Sequence, residues 1–189
     1  MLEIHVDPPE YFNDSTKEFV KAPIKPTTLQ LEHSLISISK WESKWHKPFL
    51  ENSNTLTSEE IIDYIKCMTI SPGKVEDEVY FSMSQKNIND IIEYIRDPMT
   101  ATWFAEEKNK PRSREIITSE LVYYWMVALQ IPFECQKWHI NRLLTLIRVC
   151  NAKNEESTSK NKNKMSKRDL MSRNAALNAQ RRARLNSKG

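Results

Sequence analysis

The spacing of apolar residues changes about 32 residues into the chain. Leu2, Ile4 and Val6 alternate with polar neighbours, the period-two pattern of a half-buried strand. Pro8, Pro9, Pro23 and Pro26 then interrupt every possible helix. Asn13-Asp14-Ser15 supplies turn chemistry between Tyr11-Phe12 and Phe19-Val20, and Thr27 to Leu31 reads as a further strand. The pattern predicts a small N-terminal sheet of two or three strands.

From Glu32 the period is helical. Leu35, Ile38, Trp41, Glu42 and Trp45 recur at three- and four-residue steps and stop before Pro48. Thr57 and Glu60 stand at N-cap and third position, the capping-box spacing, ahead of the stripe Ile61, Ile62, Ile65 and Met68. Ser84 opens another helix with Ile88, Ile91, Ile92 and Ile95, closed by Asp97-Pro98. The segments IIDYIKCM and IIEYIRDPM echo each other, a hint of a duplicated helical unit. Leu121 to Leu129, within Thr118–Ile131, is apolar or aromatic on every side. That predicts a central helix buried all round, with Trp125 in the core, or one with a partner on its outer side. A last amphipathic helix over Glu134–Cys150 carries Ile140, Leu143, Leu144 and Ile147. The fold class expected is mainly α: a compact domain of about five helices, a small N-terminal β element and a C-terminal basic helix.

Charge divides the chain. After Cys150 there are 11 Lys and Arg against three acidic residues, whereas residues 1–150 hold 17 basic and 22 acidic ones. The net +3 therefore hides an acidic body and a basic tail. Asn151 to Lys164 contains no large apolar side chain and cannot bury enough surface to offset its ordering entropy. The organisation expected is a helical body at 1–150, a polar linker at 151–165 and a basic helical or disordered tail at 166–189. With two glycines in 189 residues, a glycine-rich nucleotide loop is excluded. No apolar run approaches the roughly 20 residues of a membrane span, and no signal peptide is legible, so a soluble intracellular protein is expected.

Candidate chemistry is sparse. Cys67, Cys135 and Cys150 lack CxxC spacing and read as small buried hydrophobes. His5, His33, His46 and His139 form no metal-ligand pattern, and no GxSxG or SxxK nucleophile motif occurs. Glu32-His33 and Trp138-His139 are conceivable acid/base pairs, but a structural or surface histidine is the simpler reading. No catalytic residue, metal ligand or cofactor site is expected.

Two features point to binding. Trp41 and Trp45, at i and i+4, share a helix face, either as core packing or as an aromatic hot spot for a partner. In the tail, Leu170 and Leu177 form a thin seam seven residues apart among basic side chains that include Arg181, Arg182 and Arg184. Three readings stand for it: a solvated tail, a helix that docks on an acidic or amphipathic partner helix, or a contact with nucleic-acid phosphates.

The phrases TLQLEHS, ISKWESKWHKPF, DPMTA and EIITSELVYYWMVALQIPFECQKWHINRLLTLIRVC, followed by SRNAALNAQRRA, supply a further lead. Nearly the whole chain resembles a family of small proteins from the tail gene region of long-tailed bacteriophages, associated with tail assembly chaperones. The resemblance implies a nonenzymatic protein of the host cell cytoplasm that coats the long helical tape-measure protein, with self-association into a homo-oligomer along it. The rival expectation is a small phage nucleic-acid-binding protein that uses the basic tail.

Overall fold

The computed structural model describes residues 1–53, 55–104, 115–161 and 167–185, without the side chains of 157–161, 167–170 and 185. It divides into two units, Met1–Val149 and Cys150–Gly189.

In the first unit, strands β1 (Leu2–Val6) and β4 (Thr27–Leu31) pair antiparallel, with Leu2 opposite Leu31 and Ile4 opposite Leu29. Their alternation puts Ile4, Val6, Leu29 and Leu31 into the core. β2 (Glu10–Asn13) and β3 (Glu18–Lys21) form a separate antiparallel hairpin. The single sheet expected is therefore two two-stranded ladders. The prolines at 8, 9, 23 and 26 flank the hairpin and separate it from the β1–β4 pair.

The helices are α1 (Leu35–Trp45), α2 (Phe49–Asn52), α3 (Ser58–Met68), α4 (Asp77–Phe81), α5 (Gln85–Arg96), α6 (Ser119–Ala128), α7 (Ile140–Asn161) and α8 (Lys167–Leu185). The mainly helical class holds, and α2 and α4 add to the five body helices expected. At four and five residues they are too short to show a period. The expected helix at Glu134–Cys150 is broken: Phe133–Lys137 is a 3₁₀ turn, and α7 starts at Ile140. Residue 139 is taken by the tertiary fold, where His139 bridges to Ser34 and the Ile140 amide donates to the His33 carbonyl at 2.7 Å. The stretch read as a linker after Asn151 is helical to Asn161, and residues 162–166 lie outside the described residues. Extending a helix already nucleated costs little, and Ala, Lys and Glu are good helix formers.

The core gathers around α1, which packs against α3 and α6, while α5 lies on β1. Ser34 caps α1 through the Ser37 amide. The capping box at Thr57 and Glu60 forms as read: the Thr57 amide donates to Glu60 Oε2 at 2.8 Å. Buried Glu42 joins two helix starts, accepting from the Phe49 amide of α2 and the Ser119 amide of α6, each at 2.8 Å. Amides at a helix start have no partner in their own helix, so one carboxylate satisfies two of them. No helix among the described residues is long and apolar enough to cross a membrane.

Candidate functional site

Between α3 and α5 lies an apolar cleft of about 310 Å³. Its walls are Leu56, Ile61, Tyr64 and Ile65 on one side and Ile88, Ile91, Ile92 and Ile95 on the other, with Phe49 at the floor and Ser53 and Arg96 at the rim. The physical origin is legible locally. Each helix carries more isoleucine than one core-facing stripe can bury. α3 spends Tyr64, Ile65 and Met68 on the core and α5 spends Ile91 and Tyr94, which leaves Ile61 39% and Ile92 38% exposed. α3 packs on α1 and α5 on β1 without packing closely on each other, so the gap stays open. The two echoing sequence segments supply its opposite walls.

A second apolar surface belongs to α6. Ser119, Val122 and Met126 are buried, but Tyr124 is 66% and Val127 61% exposed, and Trp125 is only half-buried. The expectation of a helix buried all round is corrected: α6 packs on one side and presents an apolar ridge on the other.

Compared with family models, curated proteins and solved structures, the chain matches none. The site therefore rests on its own geometry.

Trp41 and Trp45 part company despite sharing a helix face. Trp41 is fully buried and donates its indole N–H to the Glu60 carbonyl at 3.0 Å, which makes it core and removes it as a partner contact. Trp45 stacks on it at 6.1 Å between centroids and is half-buried, with its N–H on Asp63 at 2.8 Å and Lys44 and Lys47 near its ring. Both indoles donate to α3, but Phe49 of α2 also packs edge-on against Trp41 at 5.2 Å between centroids, which i, i+4 spacing cannot reveal. In α8, Leu177, Arg181, Arg182 and Arg184 are exposed. The Leu170 side chain lies outside the described residues.

The two histidines read as structural or as acid/base candidates sit side by side in the core, with rings 4.9 Å apart. His139 donates from Nε2 to the Tyr94 carbonyl at 3.0 Å and accepts the Asn141 amide on Nδ1, which occupies both nitrogens of a neutral ring. His33 shares a short hydrogen bond with the Tyr64 hydroxyl. Burial, and then the neighbouring His139, pushes His33 down to about 3. Burial likewise lowers His139 and raises Tyr64. Enclosure of both rings disfavours their charged forms. Among the described residues, no three His, Cys, Asp or Glu side chains gather as a metal site.

Sequence reasoning named neither the α3/α5 cleft nor the hairpin aromatics Tyr11, Phe12 and Phe19, which are exposed by 51%, 49% and 73%. The signal for the cleft was present in the doubled isoleucines at 61–62 and 91–92.

Proposed function

We propose that this chain is a nonenzymatic assembly chaperone of the kind found in long-tailed bacteriophages, holding an amphipathic helix of the tape-measure protein in the host cell cytoplasm. The observation that carries the reading is the α3/α5 cleft. A cleft lined by Leu56, Ile61 and Ile65 on one side and Ile88, Ile91, Ile92 and Ile95 on the other suits a helix that lays an i, i+3/i+4, i+7 apolar face into a groove. The sequence resemblance supplies the identity of that helix. The exposed basic helix α8 adds electrostatic reach toward an acidic client.

Co-expression with a tagged tape-measure protein tests the reading. The chain should co-purify, and the pair Ile61→Asp and Ile92→Asp should weaken capture by about 30-fold, the effect of losing a hot spot of roughly 2 kcal/mol. Undiminished capture by that folded variant would remove the cleft from the mechanism. A second reading, nucleic-acid binding through Arg181, Arg182 and Arg184, is favoured by their exposure. Tight binding to random DNA that falls steeply with salt, with no capture of tape-measure protein, would replace the chaperone reading by this one.

A further inference from the structure

The walls of the α3/α5 cleft do not pack closely on each other, yet they are joined beneath its floor. A row of four rings runs there, Tyr64, His33, His139 and Tyr94, with one tyrosine from each wall. Tyr64 meets His33 edge-on at 5.7 Å between centroids, the imidazoles lie 4.9 Å apart, and His139 meets Tyr94 at 5.0 Å. Phe49, at the floor itself, stacks on Tyr64 at 3.8 Å and lies 6.2 Å from His33. Both histidines are buried. The echoing segments thus place equivalent tyrosines, 64 and 94, on neighbouring histidines.

Hydrogen bonds tie this row to the end of α5. The Asn141 side chain donates to the carbonyls of Ile95 at 3.1 Å and Asp97 at 2.8 Å, which helix α5 itself leaves without partners. The Asn141 amide donates to His139 Nδ1 at 3.3 Å, while His139 Nε2 donates to the Tyr94 carbonyl at 3.0 Å. That pattern needs a neutral ring with a lone pair on Nδ1. A proton there removes the acceptor and sets two N–H groups against each other. Burial disfavours a charge on His139. The Tyr94 carbonyl, Glu32 and Asp97 favour one, and the Met1 amine, 2.9 Å from Glu32, opposes it. Glu32 also accepts from the Tyr94 hydroxyl at 2.6 Å. His33 faces the Tyr64 hydroxyl, which has Cys67 and Glu42 near it.

We propose that the His33–His139 pair is an acid-sensitive latch: a proton on His139 frees the end of α5 and opens the α3/α5 cleft. His139 takes the proton because a carbonyl and two carboxylates stand near it, whereas His33 has the Tyr64 hydroxyl and the second ring beside it. A charge on His139, 4.9 Å away, then keeps His33 neutral. Asn141 loses its hold on the ring and with it the alignment that lets its side chain clamp α5. Both imidazoles lie below the ordinary 6.5, so the latch is closed above about pH 6.5 and weakens as pH falls. Release of a client helix by this opening rests on the function proposed above, but the opening itself needs no client.

Amide hydrogen exchange of the full chain between about pH 7 and 5 provides the test. Protection at Asp97, Ile140 and Asn141, corrected for the intrinsic rate, should fall by up to about tenfold per pH unit, the limit for one linked proton. Amides of the β1–β4 ladder should keep their protection, and far-UV circular dichroism should stay constant. Anilinonaphthalenesulfonate, a dye that brightens on exposed apolar surface, should brighten over the same range. His139→Gln should abolish both responses, and His33→Gln should retain them because His139 is the group that titrates. Asn141→Ala should lower protection at the end of α5 already at neutral pH. Protection that stays flat, or that falls in step with the β1–β4 ladder, would overturn the proposal. So would an unchanged dye signal, a folded His139→Gln chain that still responds, or a His33→Gln chain that does not.

Discussion

The surroundings of α1 and the outer faces of α3, α5 and α6 are made of the same residue types and have opposite fates. Trp41, Ile38, Leu35 and Met126 are enclosed, whereas Ile61, Ile92, Tyr124 and Val127 stay open on helices that also contribute to the core. Hydrophobicity itself does not separate the two groups. What separates them is the number of neighbouring elements: α1 has α3 and α6 against it, while among the described residues the outer side of α6 and the space between α3 and α5 are left uncovered. The inner group holds the fold together, and the outer group stays exposed.

The difference can be broken from the inside first. Trp41→Ala should destabilise the body by about 3–5 kcal/mol, since it empties a fully enclosed site and deletes the hydrogen bond to the Glu60 carbonyl. Thermal or urea unfolding measures it, and a loss under about 1 kcal/mol would place Trp41 at a surface.

Glu42→Ala should cost roughly 2–4 kcal/mol, because the amides of Phe49 and Ser119 lose their acceptor together. Hydrogen exchange should speed up at both helix starts at once. Faster exchange at one of them would show that the carboxylate does not bridge.

Acid should act on the same interior. His33 has its folded value lowered to about 3 from 6.5, so the unfolded chain binds the proton first. The stabilisation is complete above about pH 6.5 and declines as pH falls toward 3, by about 1.4 kcal/mol per pH unit for this one group. Denaturant midpoints between pH 7 and 4 read this slope, and His33→Gln should reduce it, leaving the part that His139, lowered by burial in the same direction, contributes. A wild-type midpoint constant over that range would mean that the ring is open to water.

On the outside, Ile92→Ser should change stability by no more than about 1 kcal/mol, since that side chain is 38% exposed. A loss comparable to Trp41→Ala would show that the cleft is closed in solution and that Ile92 belongs to the core.

Much of the local structure was legible in the residues. The period-two run at Leu2–Val6, the capping box at Thr57 and Glu60 and the stop at Pro48 act over a few positions, so local chemistry settles them. The break before α7 was not legible, because His139 is held by Ser34, far away in the chain. The helical stretch beyond Asn151 was missed for another reason: its composition resembles a linker, yet it continues a helix that has already started.

The candidate site divides in the same way. The sequence by itself determined that α3, α5 and α6 carry more apolar surface than one core face needs, since side-chain type and spacing fix what each helix presents at every angle. It also determined the separation of an acidic body from a basic tail, because formal charge needs no fold. Only the tertiary structure decided which part of that surplus is covered. Trp41 and Trp45 have the same chemistry and lie one turn apart, but Trp41, with Phe49 of α2 against its ring, is enclosed and Trp45 is half-buried. Burial depends on how many other elements arrive at a given face, and residues distant in the chain determine that.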